Sequence, residues 1–289
     1  MKALILAAGE GKRLRPLTLD TPKPLLPLNG RPLITYLIDL LREHGVTDIA
    51  VNLHHRPEAI RACLGNGADF GVRITYSYEE TLLGSAGAAK KLEGFFDESF
   101  FVLYGDVLTD IDLSALAACH RSGGASLTMA LYEADDPTRC GIAAVDAEGR
   151  VRRFQEKPSA AAVFSPWANA GVYAVEPSVL RFAPEDSFFD FGGDLIPLLL
   201  EKGEPVGAFL SDSYFLDIGS YKRYEQAERD LARGAVRFGD PSFARMTSYT
   251  RQLDGDEEDV TCSSTGTDQL RGRRHGPGGV LRALRGDGS

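Results

Sequence analysis

Apolar residues in the first half of the chain fall in short runs that alternate with amphipathic segments. The first run extends from Lys2 to Leu6 and stops at Ala7-Ala8-Gly9, the pattern of a strand buried on both faces of a sheet. Such runs predict further strands over 49–53, 72–76 and 100–104, and apolar periodicity predicts helices over 33–41, 57–64, 84–89 and 113–120. Strands that alternate with helices predict an α/β fold with a doubly wound, mainly parallel sheet.

The alternation lapses in the second half of the chain. Strands predicted over 126–132, 141–145, 151–154 and 171–175 follow one another without crossover helices. Helices are predicted only later, over 195–202 and 221–233. This order predicts an antiparallel lobe added to the parallel sheet.

The composition changes again after Gly234. Residues 236–289 contain eight Arg, eight acidic residues and no Lys, and they show no sustained hydrophobic period. Such a segment buries too little apolar surface to offset the conformational entropy that it would lose on ordering. We therefore predict one domain over 1–235 and a disordered C-terminal tail over 236–289.

Composition and charge exclude several kinds of partner. The hydrophobic and charged fractions, 43% and 25%, are those of an ordinary globular protein. A net charge of -9 repels nucleic acid and anionic membranes, so neither is an expected partner. The chain shows no signal-peptide pattern, and no apolar stretch approaches the roughly 18 residues of a membrane span. Its four scattered cysteines form no metal-binding or redox pair, which favours reduced thiols and a cytoplasmic location.

The segment after the first strand carries the strongest chemical signal. Gly9 and Gly11 permit backbone N–H groups to approach a phosphate closely, and Arg13 and Lys23 add fixed positive charge. The planar Arg side chain can bind two phosphate oxygens of a triphosphate at once. The segment does not match two other phosphate-binding motifs. The dinucleotide-binding pattern requires glycine at Leu14, and the P-loop pattern lacks both its first glycine and its final Ser or Thr.

The sequence LAAGEGKRLRPLT, followed by PKPLLP, resembles the signature of the nucleotidyltransferases that make sugar nucleotides. That family includes mannose-1-phosphate guanylyltransferases and glucose-1-phosphate thymidylyltransferases, and the resemblance extends from Met1 to about Gly234. It implies a Rossmann-like nucleotidyltransferase fold. It also implies that the first loop holds the nucleotide through Leu6, Ala8, Gly9, Gly11, Arg13 and Lys23.

A second segment, LGSAGA, resembles the family's LGTAGA segment, which lies beside the nucleobase. The resemblance implies nucleotide contacts from Gly84, Ser85 and Ala86. Small residues at the start of a helix let a flat base lie against the backbone, whose polar groups can read its edge. The preceding Glu79-Glu80 favours guanine, because guanine presents N–H donors to a carboxylate.

Two aspartates are implied as Mg²⁺ ligands. Asp106 belongs to a segment that resembles the family's GD motif, and Asp217 lies in FLDIG, which resembles the segment of the second metal ligand. Mg²⁺ prefers oxygen ligands and is usually held by one or two carboxylates. Each aspartate follows a predicted strand, so we expect the carboxyl edge of the parallel sheet to bring them together. Asp112 is instead predicted to cap the helix over 113–120.

The sugar half of the site is implied by two segments of the antiparallel lobe. FQEKP and NAG resemble family motifs, and they imply a sugar-phosphate site formed by Glu156, Lys157, Asn169 and Gly171. A carboxylate suits sugar hydroxyls, and an ammonium suits the 1-phosphate. One departure is Gly193, where related sequences often carry lysine.

The resemblance therefore implies an enzyme of the EC 2.7.7 type that joins an NTP to a sugar 1-phosphate and releases pyrophosphate. We favour GTP with mannose 1-phosphate or a manno-heptose 1-phosphate, and Mg²⁺ as cofactor. Thymidylyl or uridylyl transfer to glucose 1-phosphate or another sugar 1-phosphate is the alternative. A non-catalytic sugar-nucleotide-binding regulatory subunit is a rival of another class, and homo-oligomerisation stays open. The catalytic set is predicted as Arg13, Lys23, Asp106, Lys157 and Asp217.

Overall fold

The computed structural model describes residues 1–238. Its strands are β1 (Ala3–Leu6), β2 (Pro27–Leu28), β3 (Arg31–Pro32), β4 (Asp48–Leu53), β5 (Arg73–Tyr78), β6 (Phe100–Tyr104), β7 (Val107–Thr109), β8 (Leu127–Glu133), β9 (Gly141–Val145), β10 (Val151–Glu156), β11 (Trp167–Val175), β12 (Val206–Leu210) and β13 (Phe215–Asp217). The α-helices are α1 (Leu17–Asp20), α2 (Leu33–Glu43), α3 (Pro57–Leu64), α4 (Gly84–Lys91), α5 (Leu113–Gly123), α6 (Ile196–Glu201) and α7 (Tyr221–Ala232).

A nine-stranded sheet organises these elements. Seven strands follow the order β10-β9-β11-β6-β1-β4-β5, and β8 pairs with both β11 and β12. The central strand β1 runs parallel to β4 and to β6, and β4 runs parallel to β5. The carboxyl ends of these parallel strands therefore lie along one edge, where doubly wound sheets place their ligands.

Helices cover both faces of this sheet because the central strands are apolar on both sides. Leu4 and Val102 belong to one buried cluster, together with residues of α4 and α6. Ile5 and Leu103 point the other way and join residues of α2, α3 and α5. A continuous apolar run is the pattern of a strand buried on both faces. The predicted doubly wound, mainly parallel α/β class is confirmed.

The predicted antiparallel addition is also present, but it continues the same sheet. β11 pairs antiparallel with β6, β8 and β9, and β9 pairs antiparallel with β10. The sequence analysis missed β12, which lies parallel to β8. Its sequence VGAFL is short and contains a glycine, so its periodicity is weak.

Helix ends differ from prediction mainly around Asp190. The helix predicted over 195–202 is α6, which begins at Ile196 because a π-helical turn, Phe191–Leu195, precedes it. In that turn the N–H of Leu195 donates to the Asp190 carbonyl at 2.9 Å. The predicted cap of α5 is confirmed, because the Asp112 carboxylate accepts from the Ala115 N–H at 2.9 Å.

The domain end at residue 235 stays a prediction. The next described residues contact the domain: Val236 is buried, and the Phe238 ring lies 4.9 Å from that of Tyr36. The rest of the predicted tail, 239–289, lies outside the described residues. Within 1–238, no helix combines the length and apolarity that a membrane crossing demands.

A buried histidine makes the stability of this fold dependent on pH. His120, on α5, has one ring nitrogen 2.9 Å from Thr128 Oγ1 and the other 3.1 Å from Glu176 Oε1. Burial lowers the pKa of His120 from 6.5, and the Glu176 carboxylate opposes this only in part. As the pH falls, the unfolded chain therefore takes up a proton on His120 before the folded protein does. The contribution of neutral His120 to stability is fully present above about pH 6.5 and is lost as the pH falls below that value.

We expect the melting temperature to fall between pH 7.5 and pH 5.5, by about 2–4 °C for each kcal/mol lost. His120→Gln keeps a polar side chain and removes the titrating group, so its melting temperature should be lower at pH 7.5 and flatter with pH. Thermal unfolding of both proteins across this range measures the difference. Equal pH dependence in the two proteins would show that His120 is not the responsible group.

Candidate functional site

The loop after β1 is shaped by close contacts that require glycine. Gly11 has a φ of 63°, and a Cβ there would stand 2.9 Å from Thr18 Cγ2 and 3.1 Å from Lys23 Cβ. The Thr18 hydroxyl also donates to the Gly11 carbonyl at 2.9 Å. The first loop is thereby held against the segment that carries Lys23. Gly9, Gly11, Arg13, Lys23 and Asp106 line a cavity that we call the loop pocket.

Lys23 lies beside both of the predicted metal-binding carboxylates, Asp106 and Asp217. Its side chain is 9% exposed, and its ammonium forms an ion pair with Asp106 and lies 3.8 Å from Asp217 Oδ1. Arg223 Nη1 lies 3.4 Å from the other carboxylate oxygen of Asp217. The Asp217 side chain is 45% exposed, and its partial burial and the neighbouring Asp106 charge nonetheless raise its pKa, although Lys23, Arg223 and Arg13 lower it. The carboxylates are thus held in a region that favours an added cation.

Asp217 reaches this position by a different route from the one expected. It belongs to β13, which pairs antiparallel with β7 in a separate two-stranded sheet. The N–H of Ile218 donates to the Asp106 carbonyl at 2.9 Å. The expectation that two parallel strands of the main sheet bring the aspartates together is therefore wrong. The antiparallel pairing of β7, which directly follows Asp106, with β13 does so. Strands of three residues carry too little periodicity to be recognised from sequence.

The two carboxylates suit a hard divalent cation. Both ligands are oxygen, as Mg²⁺ prefers, and one or two carboxylates are enough for it. An ammonium already lies between them, so the local field favours positive charge. No group of three or more His, Cys, Asp or Glu within residues 1–238 is arranged to hold a metal. This donor set fits Mg²⁺ better than zinc.

A second cavity, the inner pocket, lies beside the ends of β1 and β4. Its lining includes Leu6, Ala8, Gly9, Gly84, Ser85, Asn52, Glu79 and Asp190. Ala86 does not line it, because Ala86 is fully buried in the core beneath. Gly84 has a φ of 72°, and a Cβ there would stand 2.7 Å from the Phe189 carbonyl oxygen. The small residues of this segment therefore permit close approach of the 187–189 chain.

The start of α4 is occupied by the protein's own acceptors. The N–H groups of Ala86 and Gly87 both donate to the Phe189 carbonyl at 2.9 Å. The N–H and the hydroxyl of Ser85 both donate to Asp190 Oδ1, at 2.8 and 2.9 Å. These bonds satisfy helix N–H groups that would otherwise lack partners. They also fix Asp190 at the rim of the inner pocket.

Glu79 belongs to the wall of this pocket as a structural group. Its Oε1 accepts from the Asn52 side-chain amide at 2.8 Å, and its Oε2 accepts from the Leu83 N–H at 3.0 Å. Asn52 in turn accepts from the Ala7 N–H at 2.7 Å. Glu79 is only 1% exposed, so this chain of bonds joins the ends of three segments. The direct guanine contact expected of Glu79 has no support in this geometry.

The third cavity lies where one edge of β11 is shared between two strands. Val172 to Val175 pair with β6, and Ala168 pairs with Ile142 of β9, so residues 169–171 are left between them. Asn169 bonds to Tyr173 and to the Gly171 N–H, at 2.6 and 3.1 Å. Gly171 has a φ of 69° and lies against the Tyr104 ring. We call this cavity the fork pocket; it is lined by Arg13, Asp106, Glu156, Lys157, Asn169, Gly171, Asp190, Asp217 and Arg223.

Two glycines leave space for the Glu156 carboxylate in the fork pocket. A Cβ on Gly141 would stand 2.5 Å from Glu156 Oε2, and one on Gly192 would stand 3.0 Å from it. Lys157 Nζ lies 3.1 Å from Glu156 Oε1, and both side chains reach solvent. The predicted pair therefore lies at the fork pocket, with the Glu156 carboxylate close to two glycines and the Lys157 ammonium paired with it.

The structure brings together every predicted site residue except Ala86. Loop, inner and fork pockets are contiguous, because Asp106 lines all three. Sequence reasoning missed Asp190, which lines the inner and fork pockets, and Arg223, which pairs with Asp217. In the sequence, Asp190 belongs to the FDFGGD run, which drew attention only for its Gly193. No sequence feature distinguishes Arg223 from the other charged residues of α7.

Fold and cleft together define a doubly wound α/β protein with a charged, three-part cleft at the carboxyl edge of its parallel strands, where such folds bind nucleotides. The chain belongs to the nucleotidyl transferase family, whose model matches residues 2–234. The family predicted from sequence is confirmed. Members of this family generally use a divalent metal ion.

Similar curated proteins are sugar-1-phosphate nucleotidyltransferases. A Synechocystis UTP–glucose-1-phosphate uridylyltransferase is 40% identical over 251 residues, covering 82% of this chain and 65% of the relative. A Mycobacterium tuberculosis mannose-1-phosphate guanylyltransferase is 32% identical over 281 residues, covering 96% of this chain and 77% of that protein. The chain thus spans slightly less than two thirds of the uridylyltransferase.

Solved structures of other proteins superpose closely on this fold. A Bacillus anthracis structure assigned as a glucose-1-phosphate thymidylyltransferase, in complex with a sucrose, superposes with a TM-score of 0.75 at 26% identity, covering 84% of this chain and 98% of that chain. HddC from Yersinia pseudotuberculosis, complexed with GMP-PN, superposes with a TM-score of 0.68 at 26% identity, covering 80% and 99%. These neighbours carry the same fold.

The position of Lys23 yields a test that needs no substrate. Lys23→Met removes the ammonium between the two carboxylates, so it should destabilise the metal-free protein by about 1–2 kcal/mol. That figure lies below the cost for a fully buried pair because Asp217 is half exposed. Added Mg²⁺ should then raise the melting temperature of the variant more than that of the parent protein, since a cation replaces the lost charge.

The measurement is thermal unfolding in EDTA and in millimolar Mg²⁺. Lys12→Met is the matched control, because Lys12 is 67% exposed and pairs only with Glu10 in the described structure. An equal response to Mg²⁺ in the Lys23 and Lys12 variants would contradict a shared cation site at Asp106 and Asp217.

Proposed function

We propose that this chain transfers a nucleotidyl group from an NTP to a sugar 1-phosphate, giving an NDP-sugar and pyrophosphate. One observation carries the proposal: the loop, inner and fork pockets meet at Asp106. The loop pocket is cationic and suits a triphosphate. The inner pocket has small residues and backbone edges that suit a base, and the fork pocket offers an acid and an ammonium to a sugar phosphate.

The reaction needs positioning and charge compensation more than a covalent nucleophile. An oxygen of the sugar 1-phosphate forms a bond to the α-phosphorus, and the bond from that phosphorus to the pyrophosphate oxygen breaks. Arg13 borders both the loop and fork pockets, so it can compensate charge on the leaving pyrophosphate. Lys23 and Lys157 would hold the α-phosphate and the sugar phosphate. Asp106 and Asp217 would hold Mg²⁺, which neutralises phosphate charge when bound.

For the substrates we favour GTP with mannose 1-phosphate or a manno-heptose 1-phosphate. Support comes from the guanylyltransferase relative, which aligns with 96% of this chain, and from the guanine nucleotide analogue in the similar HddC structure. A uridylyltransferase acting on glucose 1-phosphate is the second candidate, because the Synechocystis relative shares 40% identity. A silent regulatory subunit is disfavoured, because all five charged residues of the predicted catalytic set line one cleft. Cytoplasmic location and oligomeric state stay predictions.

A matrix assay of pyrophosphate release tests this function. Four NTPs crossed with a panel of sugar 1-phosphates should give release for one favoured pair. Activity should vanish in EDTA, return with Mg²⁺, and fall by orders of magnitude in Asp106→Ala and Asp217→Ala while the fold survives. Absence of release for every pair, with folded protein and Mg²⁺ present, would contradict the proposal.

Neighbouring glycines provide a matched test of the sugar half. An Ala at Gly192 would bring its Cβ to 3.0 Å from the Glu156 carboxylate, whereas at Gly193 the nearest atom would be 3.9 Å away. We therefore expect Gly192→Ala to lower kcat/KM for the sugar 1-phosphate about tenfold, by displacing a charge-assisted hydrogen bond. Gly193→Ala should change it little, and the KM for the NTP should change little in both.

Steady-state kinetics with each substrate varied in turn measure this difference. Equal effects of the two substitutions on sugar-phosphate use would mean that Glu156 does not bind the sugar.

A further inference from the structure

Beyond the fork pocket lies a larger cavity that the proposed reaction does not use. This outer cavity, of about 640 Å³, is bordered by Glu133, Asp135, Asp136, Trp167 and Asp212. Its size falls within the range of about 300–1,000 Å³ usual for ligand pockets. It is contiguous with the fork pocket, because Tyr132, Arg139, Cys140 and Arg223 line both.

Cys140 and Tyr132 form part of the boundary between the two cavities. Cys140 is a small residue, and its sulfur lies 3.4 Å from the Tyr132 hydroxyl. The Tyr132 ring also stacks on Phe215, with centroids 5.6 Å apart and planes at 10°. These contacts hold the ring in the shared wall. A group attached to a sugar in the fork pocket can therefore extend past Cys140 into the outer cavity.

The charges of the two cavities are segregated. The basic residues, Arg139 and Arg223, lie at the boundary, close to where the sugar phosphate would bind. Farther out the cavity has four carboxylates against these two guanidinium groups, which gives it a net negative lining. An anionic substituent would be repelled there. A neutral substituent would meet hydrogen-bond acceptors.

Three of those carboxylates are available for a ligand. Glu133, Asp135 and Asp212 make no side-chain hydrogen bond or ion pair with another residue in the described part of the chain, whereas Asp136 is bonded to Thr138. Trp167, the single tryptophan of the chain, adds a large apolar ring. Ring faces that pack on C–H groups, combined with carboxylates that accept from hydroxyls, suit a polyhydroxylated ligand.

We propose that the outer cavity is a subsite for a neutral, polyhydroxylated substituent on the acceptor sugar, such as a second glycosyl unit. The favoured acceptor is then a sugar 1-phosphate larger than a hexose. This inference rests on the proposed function and assigns the substrate class within it. The bond that forms and the bond that breaks are unchanged, because the substituent lies away from the 1-phosphate.

The test compares three acceptors with the full chain and its best NTP: a hexose 1-phosphate, the 1-phosphate of a neutral disaccharide, and the same disaccharide carrying a carboxylate on its outer unit. We expect kcat/KM for the neutral disaccharide to exceed that for the hexose by at least about tenfold, the gain from charged hydrogen bonds. The carboxylated acceptor should lose this gain. A kcat/KM for the neutral disaccharide equal to or below that of the hexose overturns the inference and leaves the proposed function standing.

Variants locate the effect. Asp135→Asn combined with Asp212→Asn should reduce the ratio of disaccharide to hexose kcat/KM about tenfold. Cys140→Phe, which narrows the passage, should reduce the same ratio. Asp69→Asn is the matched control, because Asp69 is an exposed aspartate that lines none of the four cavities. A ratio that stays the same in both outer-cavity variants overturns the inference.

Trp167 supplies a readout that is independent of turnover. Titration with a free neutral disaccharide should produce a saturable change in tryptophan emission, and the double aspartate variant should weaken that binding. If no sugar 1-phosphate supports pyrophosphate release, the proposed function fails. The titration then shows separately whether the outer cavity binds a neutral disaccharide. No saturable change would overturn the inference.

Discussion

The cleft depends on the interaction of the nearly buried Lys23 ammonium with two carboxylates. Two carboxylates from distant parts of the sequence, Asp106 and Asp217, lie beside it, and partial burial together with the Asp106 charge raises the pKa of Asp217. The Lys23 ammonium compensates part of this negative charge in the metal-free protein.

The division of the β11 edge is the second constraint. Along this edge, β11 pairs with β6 from Val172 onward and with β9 only at Ala168, so Asn169 and Gly171 lie between the two pairings and line the fork pocket. A sheet with full pairing along this edge would close the fork pocket. The sharing of one edge of β11 between two antiparallel partners, β6 and β9, is therefore what leaves room for the fork pocket.

The sequence allowed much of this to be predicted, for identifiable reasons. Long apolar runs such as 100–104 are recognisable because both faces of the strand are buried, and the first loop is recognisable because glycines and cations occur together. The route by which Asp217 reaches Asp106 could not be predicted, because a three-residue ladder leaves no periodic signal. The roles of Asp190 and Arg223 depend on long-range pairing, which local sequence does not encode. Ala86 shows the opposite error, since a motif residue turned out to support the core.

The carbonyl of Phe189 has a directional consequence. Because it accepts from Ala86 and Gly87, and Asp190 accepts from Ser85, the amino end of α4 has little positive field left to offer an anion. The loop pocket at the other end of the cleft instead carries Arg13, together with Lys23, whose ammonium is paired with Asp106. A molecule with one flat end and one anionic end would therefore bind in a single orientation, base toward α4 and phosphates toward the first loop. The orientation of such a molecule would thus depend on which groups of the cleft already have hydrogen-bond partners within the protein.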